Sequence, residues 1–171
     1  RLFTAASTRG LFELEWLPMW ETEASVQQIL DIRPKMVWIE TPSNPLLRIT
    51  DIEAIAAAAR QVGALVVVDN TFATPYLQQP LTLGADVVVH SATKYLGGHN
   101  DLLAGVLCGG RDALEPIREL RGTLGSVNSA HNMYLLERGL KTFDLRMQRH
   151  NENGQLLAEF LYERRRVEKV Y

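Results

Sequence analysis

Leu65-Val66-Val67-Val68-Asp69-Asn70-Thr71 and, further on, Val87-Val88-Val89-His90-Ser91-Ala92-Thr93-Lys94-Tyr95-Leu96-Gly97-Gly98 are the stretches on which the reading of this chain turns. Each is an apolar, β-branched run that breaks off in polar residues. Strands apolar at every position, alternating with helices, indicate a parallel sheet covered on both faces. Met36-Val37-Trp38-Ile39-Glu40 is a third such strand, ended by Thr41-Pro42-Ser43-Asn44-Pro45. Between the strands, Asp51 caps an Ala-rich helix over 52–62 and Gly63 stops it. Glu23 to Leu30 is a short helix, and Leu103 to Leu107 reads as one more strand. The fold class that follows is α/β, a mostly parallel sheet flanked by helices.

The second half is helical. Arg111 to Leu120 is amphipathic, and 132–139 and 141–163 carry apolar residues at helical spacing, with a soft break near Gly139. Val167 to Tyr171 is a short strand-like run. The chain opens on Arg1-Leu2-Phe3 without a Met, and both ends read as cuts through a longer protein.

Composition bounds the function classes. The 171 residues suit one domain, with 46% hydrophobic and 22% charged residues, as in soluble globular proteins. A net charge of -2 gives no hint of nucleic acid or an anionic membrane as partner, and no apolar run approaches a membrane span. The single cysteine, Cys108, excludes an intrachain disulfide and makes the cytoplasm the default setting. Cys108 lies in an apolar stretch and reads as a small core residue. The four histidines show no metal spacing, so no metal is expected. Neither a dinucleotide fingerprint nor a P-loop occurs.

Three strands thus run into polar clusters: Ser43 and Asn44; Asp69, Asn70 and Thr71; His90, Ser91, Thr93 and Lys94. Open parallel sheets bind ligands beyond the carboxyl ends of their strands, so the clusters should converge on one crevice. Ser91 and Thr93 offer hydroxyls to a phosphate, and Gly97 and Gly98 let the backbone turn tightly or approach a ligand. The Lys94 amine, with its pKa lowered, can form a Schiff base with an aldehyde. The same residues also read as a polar loop with a solvated lysine. Asp69, after four apolar residues, should be partly buried and need a partner, for which a pyridinium N–H is suited. Its plainer reading is a turn-forming Asp at a strand end.

Glu40-Thr41-Pro42-Ser43-Asn44-Pro45, Val67-Val68-Asp69-Asn70-Thr71-Phe72 and Ser91-Ala92-Thr93-Lys94-Tyr95-Leu96-Gly97-Gly98-His99 resemble the signature of the cystathionine γ-synthase/γ-lyase family, the Cys/Met-metabolism group of pyridoxal phosphate (PLP) enzymes. Leu83 to Asp86 and Arg138 to Thr142 are similar to that family too. The resemblance implies part of the large domain of a fold-type I PLP-dependent transferase. Residues 1–130 would be its later part, and 131–171 a helical segment leading toward a C-terminal domain. It implies that Lys94 bonds to the cofactor, Asp69 pairs with the pyridine nitrogen, Ser91 and Thr93 bind the phosphate, and Asn44 lies at the pocket; Thr71 receives no primary role. The activity implied is γ-replacement or γ-elimination on sulfur amino acids or activated homoserine, in trans-sulfuration and methionine biosynthesis. Cystathionine γ-synthase is the favoured member, with cystathionine γ-lyase, methionine γ-lyase and O-acyl-homoserine sulfhydrylase as alternatives. A homo-oligomer built from dimers, a homotetramer, goes with it. Family members are more than twice this length, so the 171 residues alone should hold an incomplete site, and a non-catalytic fragment is the reading from another class.

Overall fold

The computed structural model describes residues 1–170. Among them, β1 (Met36–Glu40), β2 (Leu65–Asp69), β3 (Val87–Ser91) and β4 (Gly105–Gly109) form one sheet in the order β1-β2-β3-β4. The first three strands run parallel, and β4 returns antiparallel along β3. The helices are α1 (Leu2–Thr8), α2 (Thr22–Ile32), α3 (Ile52–Val62), α4 (Thr74–Leu77), α5 (Arg111–Leu124), α6 (Ala130–Leu140) and α7 (Phe143–Tyr162). The mostly parallel sheet flanked by helices is as the sequence predicts.

Local chemistry explains the boundaries. The Asp51 carboxylate accepts the Ala54 N–H at 3.0 Å, and Gly63 closes α3 in the left-handed conformation. Five residues of α3, from Ile52 to Ala59, are buried, and with Ile29 of α2 they cover Val37, Ile39, Val66 and Val68 on one face of the sheet. Burying each such aliphatic side chain contributes about 1.5–3 kcal/mol. This helix–sheet sandwich is the main core. A second cluster, Ala92, Leu96, Leu102 and Leu136, joins the segment after β3 to α6.

The opposite face is covered only in part. Val67 and Val87 are buried in the middle, but Met36 and Trp38 on edge strand β1 are 51% and 39% exposed. Phe3 of α1 meets Trp38 edge-to-face at 5.0 Å between ring centroids. β1 is therefore apolar throughout yet buried on one side only.

Other expectations shift. β4 starts at Gly105, because Leu102 is spent in the second core and Ala104 is bonded to Thr93. α5 runs past Leu120 to Leu124, where Gly125 supplies the left-handed stop, and α7 begins at Phe143. Cys108 is exposed on edge strand β4, not a core residue. Residues 167–170 form no strand, and Tyr171 lies outside the described residues.

Candidate active site

Strand register brings the polar ends together. Glu40 is the partner of Asp69, and Asp69 of Val89. Residues two apart on a strand point to one face, so Glu40, Asp69 and Ser91 share the partly covered face at the carboxyl edge. His90, between Val89 and Ser91, turns to the other face.

Asp69 is half-buried. One of its oxygens, Oδ1, accepts the Thr71 N–H at 3.0 Å, and Oδ2 has no hydrogen bond among the described residues. The Thr71 hydroxyl in turn accepts the Ser91 N–H at 2.8 Å. Thr71 thus fixes the end of β2 against the end of β3, a larger part than the sequence suggests for it. Ser91 keeps its hydroxyl free among the described residues. Thr93 does not: its Oγ accepts the Ala104 N–H at 3.1 Å and donates to the Ala104 carbonyl at 3.4 Å. That second bond is long, so the proton is weakly held there.

Lys94 is exposed, and its amine has no hydrogen bond or ion pair among the described residues. Its backbone is fixed. The Lys94 N–H donates to Ser91 O at 3.0 Å, Gly97 N to Ala92 O at 2.8 Å, and Gly98 N to Lys94 O at 2.8 Å. An exposed amine thus stands on a tightly turned backbone. Gly98 takes a positive φ of 78°, and the Arg146 guanidinium of α7 lies against it.

Asn44 is exposed, and its side chain has no hydrogen bond among the described residues. The loop that carries it is tethered from below. Gln78 donates through Nε2 to Thr41 O at 3.2 Å and to Asn70 Oδ1 at 2.8 Å, while Asn70 Nδ2 donates to Gln78 O at 2.9 Å. Thr41 and Asn70 are buried, so this network holds the loops after β1 and β2 in one arrangement.

The site is acidic at one end. Burial, then the neighbouring Asp69 charge, raises the Glu40 carboxyl above its ordinary pKa, against a lowering by the Asn44 backbone. His90 is 5% exposed, its Nδ1 has no partner, and burial pulls its pKa down against the Asp69 charge and the Asn70 backbone. Glu40 has no role in the sequence reading, and His90 is placed there in the cluster that converges on the crevice, whereas strand alternation turns His90 to the packed face. A cleft of about 390 Å³ opens beside Tyr95, lined also by Pro42, Phe72, Gln78, Met147 and His150. Lys94, Asp69 and Ser91 do not line it. Among the described residues no cluster of His, Cys, Asp or Glu could hold a metal ion, and no helix is long and apolar enough to cross a membrane.

Known proteins share this fold. The family described as Cys/Met metabolism PLP-dependent enzyme matches residues 1–171. A cystathionine beta-lyase of Lactococcus lactis is 51% identical over 138 residues, 80% of this chain and 36% of that protein. An L-methionine gamma-lyase of Pseudomonas putida is 50% identical over 139 residues, again 80% of this chain and 35% of that protein. The crystal structure of cystathionine gamma synthase from Xanthomonas oryzae pv. oryzae in complex with cystathionine superposes with a TM-score of 0.95 at 42% identity, over 99% of this chain and 44% of that one. The chain thus spans less than half the length of these relatives.

Proposed function

Since this chain belongs to the Cys/Met-metabolism family of PLP-dependent enzymes, we propose that the whole protein carries out γ-replacement or γ-elimination on sulfur amino acids or activated homoserine, with cystathionine γ-synthase as the favoured activity. The observation that carries the reading is the shared face of Asp69 and Ser91 at the carboxyl edge, with Lys94 on the turn just beyond it.

The donor set fits the cofactor. Asp69 has an unpartnered oxygen for the ring N–H, the Ser91 hydroxyl is free for phosphate, and the Lys94 amine is free for the aldehyde. The Thr93 hydroxyl reaches a phosphate by giving up its long bond to Ala104. When bound, PLP supplies an electron sink for the carbanion at the substrate's α-carbon. The Lys94 amine would bind the cofactor and, once displaced by the substrate amine, would take the proton from the α-carbon and return protons toward the γ-carbon. Asp69 keeps the ring nitrogen protonated, Thr71 aims the carboxylate, and Asn44 borders the substrate pocket.

The relative named cystathionine beta-lyase favours a second reading, β-elimination. Products separate the two: cystathionine cleaved at the γ-carbon gives cysteine and 2-oxobutyrate, and at the β-carbon homocysteine and pyruvate. We further assign residues 1–130 to the large domain and 131–171 to a connection toward a C-terminal domain. The assembly is a homo-oligomer built from dimers, and the location cytoplasmic.

Borohydride reduction of the full-length protein should fix the cofactor on Lys94, read by peptide mass mapping. A label on another lysine, or none, sinks the assignment.

A further inference from the structure

Arg146 stands outside the residues considered so far, yet it makes the densest set of hydrogen bonds around the Lys94 turn. Its Nη1 donates to the Tyr95 carbonyl at 2.7 Å, and its Nη2 to the Gly139 carbonyl at 2.9 Å and the Leu96 carbonyl at 3.4 Å. Its Nε donates to Thr142 Oγ1 at 3.1 Å. The guanidinium is half-buried, forms no ion pair among the described residues, and lies so close to Gly98 that a Cβ there would collide with it. A second close approach runs beside it. A Cβ on Gly139 would strike the Gly97 carbonyl oxygen, so the backbones of the Lys94 turn and of α6 touch.

The rest of α7 faces the same way. Phe143 packs on the cluster containing Leu96 and Leu136, and His150 meets the Tyr95 ring edge-on at 5.5 Å. Residues 143, 146, 147 and 150 are spaced as one helical face. Tyr95 is held on its other side by Phe72, which follows the Asp69 strand, at 6.4 Å. A planar guanidinium with five donors can bridge three carbonyls and a hydroxyl at once; an ammonium, with three donors on one atom, can replace only part of that set.

We propose that Arg146 is the positioning residue of the Lys94 turn: by clamping the Tyr95 and Leu96 carbonyls to Gly139 and Thr142, it sets where the Lys94 backbone, and hence its amine, stands relative to Asp69. The catalytic meaning of this clamp rests on the reading of Lys94 as the cofactor lysine; the clamp itself does not. Arg146 touches no reacting atom, and it acts through the turn.

The test uses the full-length protein with Arg146→Gln, Arg146→Lys and Thr142→Val. Hydrogen exchange is followed in peptides covering 92–99, 143–150 and 65–69, together with the rate at which apo-protein regains visible absorbance when PLP is added. Arg146→Gln should speed exchange at 94–98 by roughly tenfold or more, since bonds from a charged donor are lost, and leave 65–69 unchanged. It should slow PLP capture by a similar factor, with the melting temperature of the apo-protein little moved. Arg146→Lys should restore part of both, and Thr142→Val should produce a few-fold change in the same peptides. Unchanged exchange at 94–98 in whichever of these variants folds overturns the proposal. So does faster exchange confined to 143–150, which would make Arg146 an anchor of α7 alone. If the exchange results hold but borohydride labels no Lys94 in the unaltered protein, the functional reading fails and the clamp stands.

Discussion

The two faces of the sheet use similar residues to opposite ends. On one face, Val37, Ile39, Val66 and Val68 disappear under α2 and α3, and nothing polar interrupts them until His90 at the strand tip. On the other, Trp38 and Met36 stay exposed, and the carboxyl edge carries Glu40, Asp69 and Ser91. The first face is held by packing, so its residues are exchangeable for others of like volume. The second holds charges and free hydroxyls at positions fixed by the first. Fold and chemistry are thus separated by the thickness of one strand, and a substitution should report which side it sits on.

The sharpest contrast is between Ile55 and Asp69, both in the full-length protein. Ile55→Ala, under the buried face, should cost about 2–5 kcal/mol of stability in chemical denaturation and leave the cofactor's absorbance spectrum unchanged. Asp69→Ala should do the reverse. Turnover should fall by about 3–4 kcal/mol in transition-state terms, on the scale of removing a key electrostatic group, with the unfolding midpoint little changed. Near-normal turnover in Asp69→Ala would reduce that residue to a structural one and erase the contrast.

His90 tests the boundary, since it sits on the packed face near the tip of β3, one residue before Ser91. Burial depresses its pKa in the folded state, so the unfolded chain binds the proton more readily. Its share of stability is present above about pH 6.5 and is lost as pH falls toward the folded pKa, by no more than about 1.4 kcal/mol per pH unit. His90→Phe should flatten the denaturation-versus-pH curve in that window, and an unchanged slope would refute the assignment. The smallest effect belongs to Glu40, whose raised pKa reflects burial and the Asp69 charge. A carboxyl raised on folding stabilises below its ordinary pKa and loses that contribution as pH rises through the folded value. Glu40→Gln should therefore gain a little stability at neutral pH, within about half a kcal/mol because the side chain is largely exposed, and nothing at pH 3. Combining it with Asp69→Ala should remove only the part of the gain that comes from the Asp69 charge and leave the larger part that comes from burial.

What could be read from the sequence follows the same division. β1 and α3 are found at their observed bounds, because an apolar run and an Asp-to-Gly bracket are local signals. The positions of Asp69 and Lys94 are legible because one ends β2 and the other lies three residues beyond β3, where topology gives a polar residue meaning. The rest depends on contacts remote in sequence. Nothing near Arg146 tells that it reaches Tyr95, 51 residues away. Thr71 looks like any turn residue until the Ser91 N–H arrives from the next strand. Thr93 reads as a free hydroxyl until Ala104 returns beside it, and Cys108 reads as core because an apolar run does not say that its strand is an edge.

The order of strands in space repeats their order in the chain, and this bears on how the segment comes into being. Each strand pairs with the one made just before it, so the sheet can grow by addition to a finished edge as the polypeptide leaves the ribosome. Among the described residues no strand waits for a distant partner, which keeps loop closures short and formation fast. The Lys94 turn is the exception. It closes between β3 and β4 early, but its clamp comes from α7, which emerges after all four strands. During synthesis these four strands should therefore be paired while the lysine turn is still loose, and the ability to capture cofactor should appear only after residue 146 has cleared the exit tunnel.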